Sequence, residues 1–594
     1  MRRRGVYGYN LPPRASTVIT PADFAIYGAI GRFQRGLTQV VSIQNTTDLA
    51  VKCGDYVAGF YGRYVLDRLL TNLKGTSALG YVSMYVASDA VQAAVTINDQ
   101  AGSPNPTLKI SAAYQGIVDK SADGNNTGYT ITNGSRATTT IGAVASTGVT
   151  TLTFASVASM VIGDVLQIVS GGTTHYAKVS AINEATKTAT VTTTTNAVSI
   201  GDSVSMMGFQ IVCYRRTATG AYAILNTPEN KIWLSLESQN TQYYVNNAFV
   251  NHPYLTLADQ VSPATPINLR YPANISTVTF LSGGSNGTAP TTNTNWNVYT
   301  NFDALPIRFL FNTDTTLSGV NTDGEAYCAG RLDTPIWMYN LPGQQSLSQL
   351  ITLGGLYQRS NQVCGVANAS FRAVNDPLGS GPNATVEIPT HGAVVGAWIW
   401  TALNAMGIHQ APAGDDVPLL GFVATPDATE DTFTEDQRTS ILAAGINLIQ
   451  QLPGVGLSLR SFRTPSTNGA YLWGTWNLMQ NFVKVSAVES LQSAESRPNR
   501  LQSLQEKGRA ISDFGRKLYN GSYPFGIDPS GAFGTFTRSD GKQSTFDDVF
   551  TVQVDQFNNP QSSINAGEGN IAVYMYPPPL LESLGIGVGF TIPL

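Results

Sequence analysis

Residues 386–482 decide the fold. They open VEIPTHGAVVGAWIWTALNAMGIHQAPAGDDVPLLGF (386–422), run through FTEDQRTSILAAGINLIQQLPGVGLSLRSFRT (433–464) and close on YLWGTWNLMQNF (471–482). A short strand at 386–388 is stopped by Pro389, and a turn at Thr390-His391-Gly392 leads into an almost uncharged helix from about 392 to 405. A Pro-rich loop at 411–418 precedes a second helix. Its start is marked by Thr434-Glu435-Asp436-Gln437, a capping box in which the Thr hydroxyl and the Gln side chain each satisfy an orphan backbone donor. Ile441, Leu442, Gly445, Leu448 and Ile449 recur at helical spacing, so this helix is expected to run to the stop at Leu452-Pro453-Gly454. A strand at 457–462 and a further helix follow.

At 594 residues the chain is long enough for several domains, because single cores stop growing near ~250 residues. A hydrophobic content of 42% supports sizeable cores. Charged residues make up only 12%, about half the usual ~25%, and Thr, Ser, Asn and Gln fill the gap. Such a surface suits repeated protein–protein contact, since hydroxyls and amides are cheaper to desolvate than charges. The net charge of -4 gives no sign of a nucleic-acid partner. Arg2-Arg3-Arg4 is the one basic run, and no apolar stretch follows it, so it does not read as a signal peptide. Residues 392–408 carry no formal charge, but they are broken by Asn404 and rich in Gly and Ala; a buried core helix is expected there, not a membrane span. Cys53, Cys213, Cys328 and Cys364 form no C-x-x-C pair and read as reduced thiols of a protein folded in a cytosol.

The motifs of the opening stretch also carry a resemblance. Pro389/Gly392/Gly396, Gly407/His409/Ala411/Pro412/Ala413, Gly445/Ile446/Asn447/Ile449 and Gly456/Arg463/Thr464 stand in an order that resembles the C-terminal core of contractile tail sheath proteins of bacteriophages. The resemblance implies hexameric rings stacked helically around an inner tail tube, with baseplate and tail terminator proteins as further partners. It implies a virion tail assembled in the host cytoplasm, whose contraction drives the tube through the host envelope for genome delivery. It implies N- and C-terminal arms exchanged between subunits as strands, no catalysis and no cofactor. A phage-derived injection device or bacteriocin fits the same motifs.

The expected architecture is α/β and multidomain. Residues 1–24 form an extended arm: Pro12-Pro13 and Pro21 disfavour helix, the segment is too short to bury itself, and Gly5, Val6 and Tyr7 resemble the start of sheath proteins. By resemblance this arm adds a strand to a neighbouring subunit. Residues 25–137 and 209–380 alternate strands and helices as a middle α/β domain. By resemblance a strand is expected at 231–236; the sequence itself reads as strands at 305–312 and 362–367 with an amphipathic helix at 346–359. Between the two halves, residues 138–208 are nearly all Thr, Val, Ala, Ser and Gly. Short β-like runs at 152–154, 165–169, 177–182 and 189–193 suggest an inserted β module, placed on the outer face by resemblance. Gly163-Asp164 and Gly201-Asp202 form an internal echo beside Val-rich runs.

Residues 381–576 form the C-terminal sheath core, including helices at 478–491 and 498–519 with Pro498 expected in the first turn of the latter. Leu501, Leu504, Ile511, Phe514 and Leu518 make the apolar stripe of that last helix. Arg500, Lys507, Arg509, Arg516 and Lys517 stand against Glu506 and Asp513 on its polar side. A solvated face is the ordinary reading of such a pattern. The sharper one is docking on an acidic tube, because by resemblance these helices face it. Residues 577–594 form the second arm. There Ile586, Val588, Phe590 and Ile592 alternate as a strand that needs an edge to pair with.

Other candidate chemistry is thin. Gly283-Gly284-Ser285-Asn286-Gly287 matches G-x-S-x-G, but loop follows where a nucleophile elbow needs a helix. His391, His409, Asp415 and Asp416 could be drawn as metal ligands, yet the two histidines lie roughly 25 Å apart if one helix joins them. No G-x-x-x-x-G-K-[ST] is present for a nucleotide motor. A surface enzyme or carbohydrate-binding module is the alternative class, suggested only by the Thr/Ser/Asn-rich insertion.

Overall fold

The computed structural model describes residues 19–579, apart from 193, 195, 218–219, 293–295, 297, 359–364, 370, 382–383, 406, 426–427, 493–497 and 522–530. In chain order, strands β1 (Ile26–Gly31), β2 (Val41–Ile43) and helix α1 (Gly62–Asn72) lead to β3 (Leu79–Met84), and two long strands follow, β4 (Thr127–Thr140) and β5 (Ser203–Arg216). Then come β6 (Phe309–Asn312), β7 (Ile336–Asn340), β8 (Val366–Ala369), α2 (His391–Trp400), α3 (Glu435–Ala443), β9 (Ile446–Leu452) and β10 (Gly456–Leu459). The C-terminal part holds α4 (Gly474–Leu491), α5 (Leu501–Tyr519), β11 (Phe550–Gln553) and β12 (Ala572–Met575).

The principal sheet has eight strands in the order β2-β3-β1-β6-β7-β8-β9-β10. The six from β3 to β9 run parallel, and antiparallel β2 and β10 close the two sides. Parallel strands need both faces covered, and Ile336–Asn340 is accordingly buried at every position, apolar up to its closing asparagine. Tyr27, Phe309, Phe311, Met338 and Ile449 point into one core with α1, α2 and α4. Ile26, Ile30, Leu310, Trp337 and Leu448 point into the other, which Ile441 of α3 joins. Helix α2, buried along nearly its whole length, is wedged against α1 in the first of these cores.

Three expectations are corrected. The helix begun at Thr434 stops at Ala443, and residues 446–452 are a strand. Gly445 takes φ +81°, a left-handed helix stop, and the Ile446–Leu452 segment then pairs in parallel with β8. Helix α2 runs as expected to about 405, its last turn loosening into a π-turn at Thr401–Ala405, and Gly407 (φ +103°) then redirects the chain before His409. Pro498 lies outside α5, whose N-cap is Arg500. Residues 231–236 form no strand; a 3-10 turn at Pro228–Lys231 and isolated bridges at Leu234 and Ser235 take its place. The capping box itself is present, with Gln437 N–H donating to Thr434 Oγ1 and Thr434 N–H to Gln437 Oε1 at 2.9 Å.

The compositional change at residues 138 and 208 falls inside strands. β4 and β5 pair without a break in the sheet from Thr127–Arg215 to Thr140–Ser203, with one bulge at Met206/Met207. One end of this ladder faces a core with Tyr129, Ile131, Phe209 and Ile211, the other a core with Leu166, Ile168, Val204 and Met206. The echo at Gly163-Asp164 and Gly201-Asp202 is one turn used twice. Each glycine has φ near +90°, and each aspartate accepts the N–H three residues back, Val161 at 2.8 Å and Ser199 at 2.7 Å. Asp164 is buried and pairs with Arg136 at 2.5 Å, tying the module to the strand that carries it. No helix among the described residues is long and apolar enough to cross a membrane.

Candidate assembly surface

The arm residues Gly5, Val6, Tyr7, Ile586, Val588, Phe590 and Ile592 lie outside the described residues. Both described ends reach helix α4: the backbone of Thr20 and Ala22 bonds to Ser490 and Ser486, and the Pro578 carbonyl accepts from the Trp476 indole. Helix α4 is buried on the side toward the principal sheet, through Leu478, Met479, Phe482 and Val483. Sequence reading identified α4 only as a helix. Ser486 and Ser490, two hydroxyls one turn apart in an apolar element, were the signal available.

Beside α4 stands a small sheet of two antiparallel strands, β11 and β12, in register from Phe550–Met575 to Gln553–Ala572. Helix α5 packs on it, and its stripe of Leu504, Ile511, Phe514 and Leu518 is buried, with Leu501 half-buried. Gly508 and Gly515 of α5 let β11 approach; a Cβ on Gly508 would lie 2.7 Å from the Val554 side chain. Among the described residues β12 pairs only with β11. Along its side runs a mostly apolar groove of about 380 Å³, lined by Val483, Ala487, Leu491, Ile511, Val573 and Met575. Val488 and Tyr574 nearby are more than half exposed.

Of the basic positions on α5, Arg500, Arg509, Arg516 and Lys517 are exposed, and Lys507 is half-buried with Nζ donating to Ser503 Oγ at 3.0 Å. Arg516 stacks over the Phe546 ring at 4.3 Å, within 4.0 Å of Asp547. Arg509 lines a second, more polar groove of about 500 Å³ between α5 and β11, where Asp547 also stands.

The residues flagged for other chemistry are dispersed. Ser285 sits in a loop, pairing through its backbone with Val91, and its Oγ accepts the Gly287 N–H at 3.2 Å. His391 is the first residue of α2, buried against the Phe311 ring at 5.2 Å; burial lowers its pKa to about 3. His409 is buried beside Gln410, and Asp415 pairs with Arg460 at 3.8 Å. Among the described residues no three metal-capable side chains come together. The thiols of Cys53, Cys213 and Cys328 are buried, and burial pushes that of Cys53 up to about 12; Cys364 lies outside the described residues.

No protein-family model matches the sequence, and no curated protein does. Solved structures do align. The sheath tail protein Lin1278 from Listeria innocua covers 95% of this chain and 98% of its own, at 12% identity and a TM-score of 0.46. A chain of the anti-feeding prophage baseplate covers 50% of this one and 74% of its own, at 16% identity and TM-score 0.39. The sheath complex of PVC, an extracellular contractile injection system in its contracted state, covers 48% and 70%, at 16% identity and TM-score 0.37. At these identities and scores the likeness concerns the layout of the chain only.

Proposed function

We propose that the chain is the structural subunit of a contractile sheath, stacked as hexameric rings around an inner tube. It does mechanical work by rearranging a lattice, with no catalytic step. Its place is a phage tail, where contraction drives the tube through the host envelope. The observation that carries this reading is the two-stranded sheet β11–β12, whose β12 edge is unpaired among the described residues and has an apolar groove beside it. Two strands alone are marginal in water, and an exposed edge invites a further strand. A strand from another copy, supplied by residues 1–18 or 584–594, would gain main-chain hydrogen bonds at the edge and bury alternate apolar side chains in the groove. Such a contact is heterologous, so it propagates from copy to copy instead of closing. Tethered rigid bodies of this kind can slide and rotate while remaining joined, and the energy of contraction is then stored in contacts formed at assembly.

Electron microscopy of the purified full chain tests the reading. Tubes or stacked rings are expected, and deletion of residues 1–20 or 584–594 is expected to leave folded subunits that do not polymerise. Normal polymers from either deletion would mean that the arms do not link the lattice. A wild-type chain that sediments only as a monomer at high concentration would remove the sheath reading altogether.

A further inference from the structure

We infer that helix α4 is the common anchor of the first and last described segments, at residues 20–22 and at Pro578, and hence the route by which strain applied at one of them reaches the other. At the N-terminal side the backbone is laced onto the helix by hydroxyls. Thr20 N–H donates to Ser490 Oγ at 2.9 Å, the same hydroxyl donates back to Thr20 O at 3.3 Å, and Ala22 N–H donates to Ser486 Oγ at 2.9 Å. The spacing fits: residues two apart in an extended segment advance about 6.6 Å, and residues four apart on a helix advance about 6 Å. Alternate amides of the segment therefore meet successive turns of one helix face.

The next residue is held as well. Arg308, 3% exposed, donates from Nε to Asp23 O at 3.0 Å and pairs through Nη2 with Glu489 of α4 at 3.0 Å. Ile19, Ala22 and Phe24 are buried alongside. At the other end, Trp476 Nε1 donates to Pro578 O at 2.7 Å, about 15 Å along the helix axis from Ser486. Between the two fastenings the Asn481 amide donates to the carbonyls of Asp333 and Thr334, keying α4 into the loop that leads to β7.

A continuous helix fastened near both ends and keyed at its middle is short and stiff. Strain carried between copies through the arms passes along α4 and across Asn481 into the principal sheet. This rests on the sheath reading for the source of the strain; the anchor itself does not.

Hydrogen exchange on the unassembled full chain tests the anchor. S486A/S490A is expected to speed exchange of the Thr20 and Ala22 amides by about tenfold or more. The Leu79 and Arg308 amides, bonded to Ala25 and Ile26 carbonyls, should keep wild-type rates. W476F, which keeps an aromatic ring and loses the N–H, is expected to do the same to the Gly534 and Tyr576 amides, bonded to the carbonyls of Tyr576 and Val549. Wild-type rates at Thr20 and Ala22 in the double variant overturn the anchor. In polymers, S486A/S490A is expected to change helical rise or shorten the tubes. Faster exchange with unchanged polymer geometry overturns the strain route. A wild-type chain that never polymerises sinks the sheath reading and the route together, while the exchange data still decide the anchor.

Discussion

Gly392 and Gly396 face α1 one turn apart. A Cβ on Gly392 would lie 2.5 Å from Val65 Cγ1, and one on Gly396 would press on the Leu69 carbonyl oxygen. Backbone has no rotamer to move away, so Gly396→Ala is expected to cost about 2 kcal/mol or more, read as a lower denaturant midpoint of the subunit. The four-residue spacing was legible in the sequence; that it packs against α1, more than 300 residues earlier, was not. His391 poses a different question, because it is buried at the positive end of α2. Burial lowers its pKa to about 3 from an unfolded value of 6.5, so it is neutral when folded. Its contribution is fully present above about pH 6.5 and is lost as pH falls toward 3, roughly 3 kcal/mol by pH 4. His391→Phe is therefore expected to show a smaller fall in melting temperature than wild type between pH 7 and pH 4. His252, whose pKa burial lowers to about 4, remains in both proteins and cancels in the comparison.

At the scale of elements, the start of α3 was written locally and its end was not. Thr434 and Gln437 cap one another within four residues, so the sequence alone reveals them. The run from Ile446 to Ile449 fits a helical stripe and a short buried strand equally well. What decided for the strand is a neighbour far along the chain: Ile446, Asn447 and Leu448 pair with Ala367, Asn368 and Ala369 of β8. Asn447 fixes the register, its amide donating to Ala367 O at 2.7 Å and Arg463 O at 2.6 Å while its Oδ1 accepts the Arg463 N–H at 2.6 Å. Asn447→Ala would leave these groups unpaired in the core, with an expected loss of about 2–3 kcal/mol in urea unfolding. The expected strand at 231–236 likewise shrinks to single bridges, Leu234 exchanging both backbone hydrogen bonds with Phe209 of β5 and Ser235 meeting Tyr244, with no ladder continuing from either.

For the molecule as a whole, few charges and many hydroxyls and amides leave a surface suited to repeated protein–protein contact. The exposed cations of α5 are the exception. If they steer the subunit onto an acidic tube, Arg509→Glu, Arg516→Glu and Lys517→Glu together are expected to leave the melting temperature within a few degrees of wild type. Co-assembly with the tube should be abolished, and wild-type co-assembly should weaken with added salt. Unchanged co-sedimentation of the triple variant with the tube would assign these residues to a solvated face.

By itself the sequence determined what depends on neighbours within a few residues: the capping box, the glycine turns at Gly163 and Gly201, the apolar stripe of α5 and the order of motifs across 386–482. Tertiary structure alone decided the parallel order of the principal sheet, the strand at Ile446–Leu452 and the meeting of Ala22 and Pro578 on α4. The physical reason is range. Capping and turn geometry are settled by bonds within one turn of chain. Strand pairing and strap docking are settled by partners such as Ala22 and Ser486, 464 residues apart, whose complementarity appears only once the chain has brought them together.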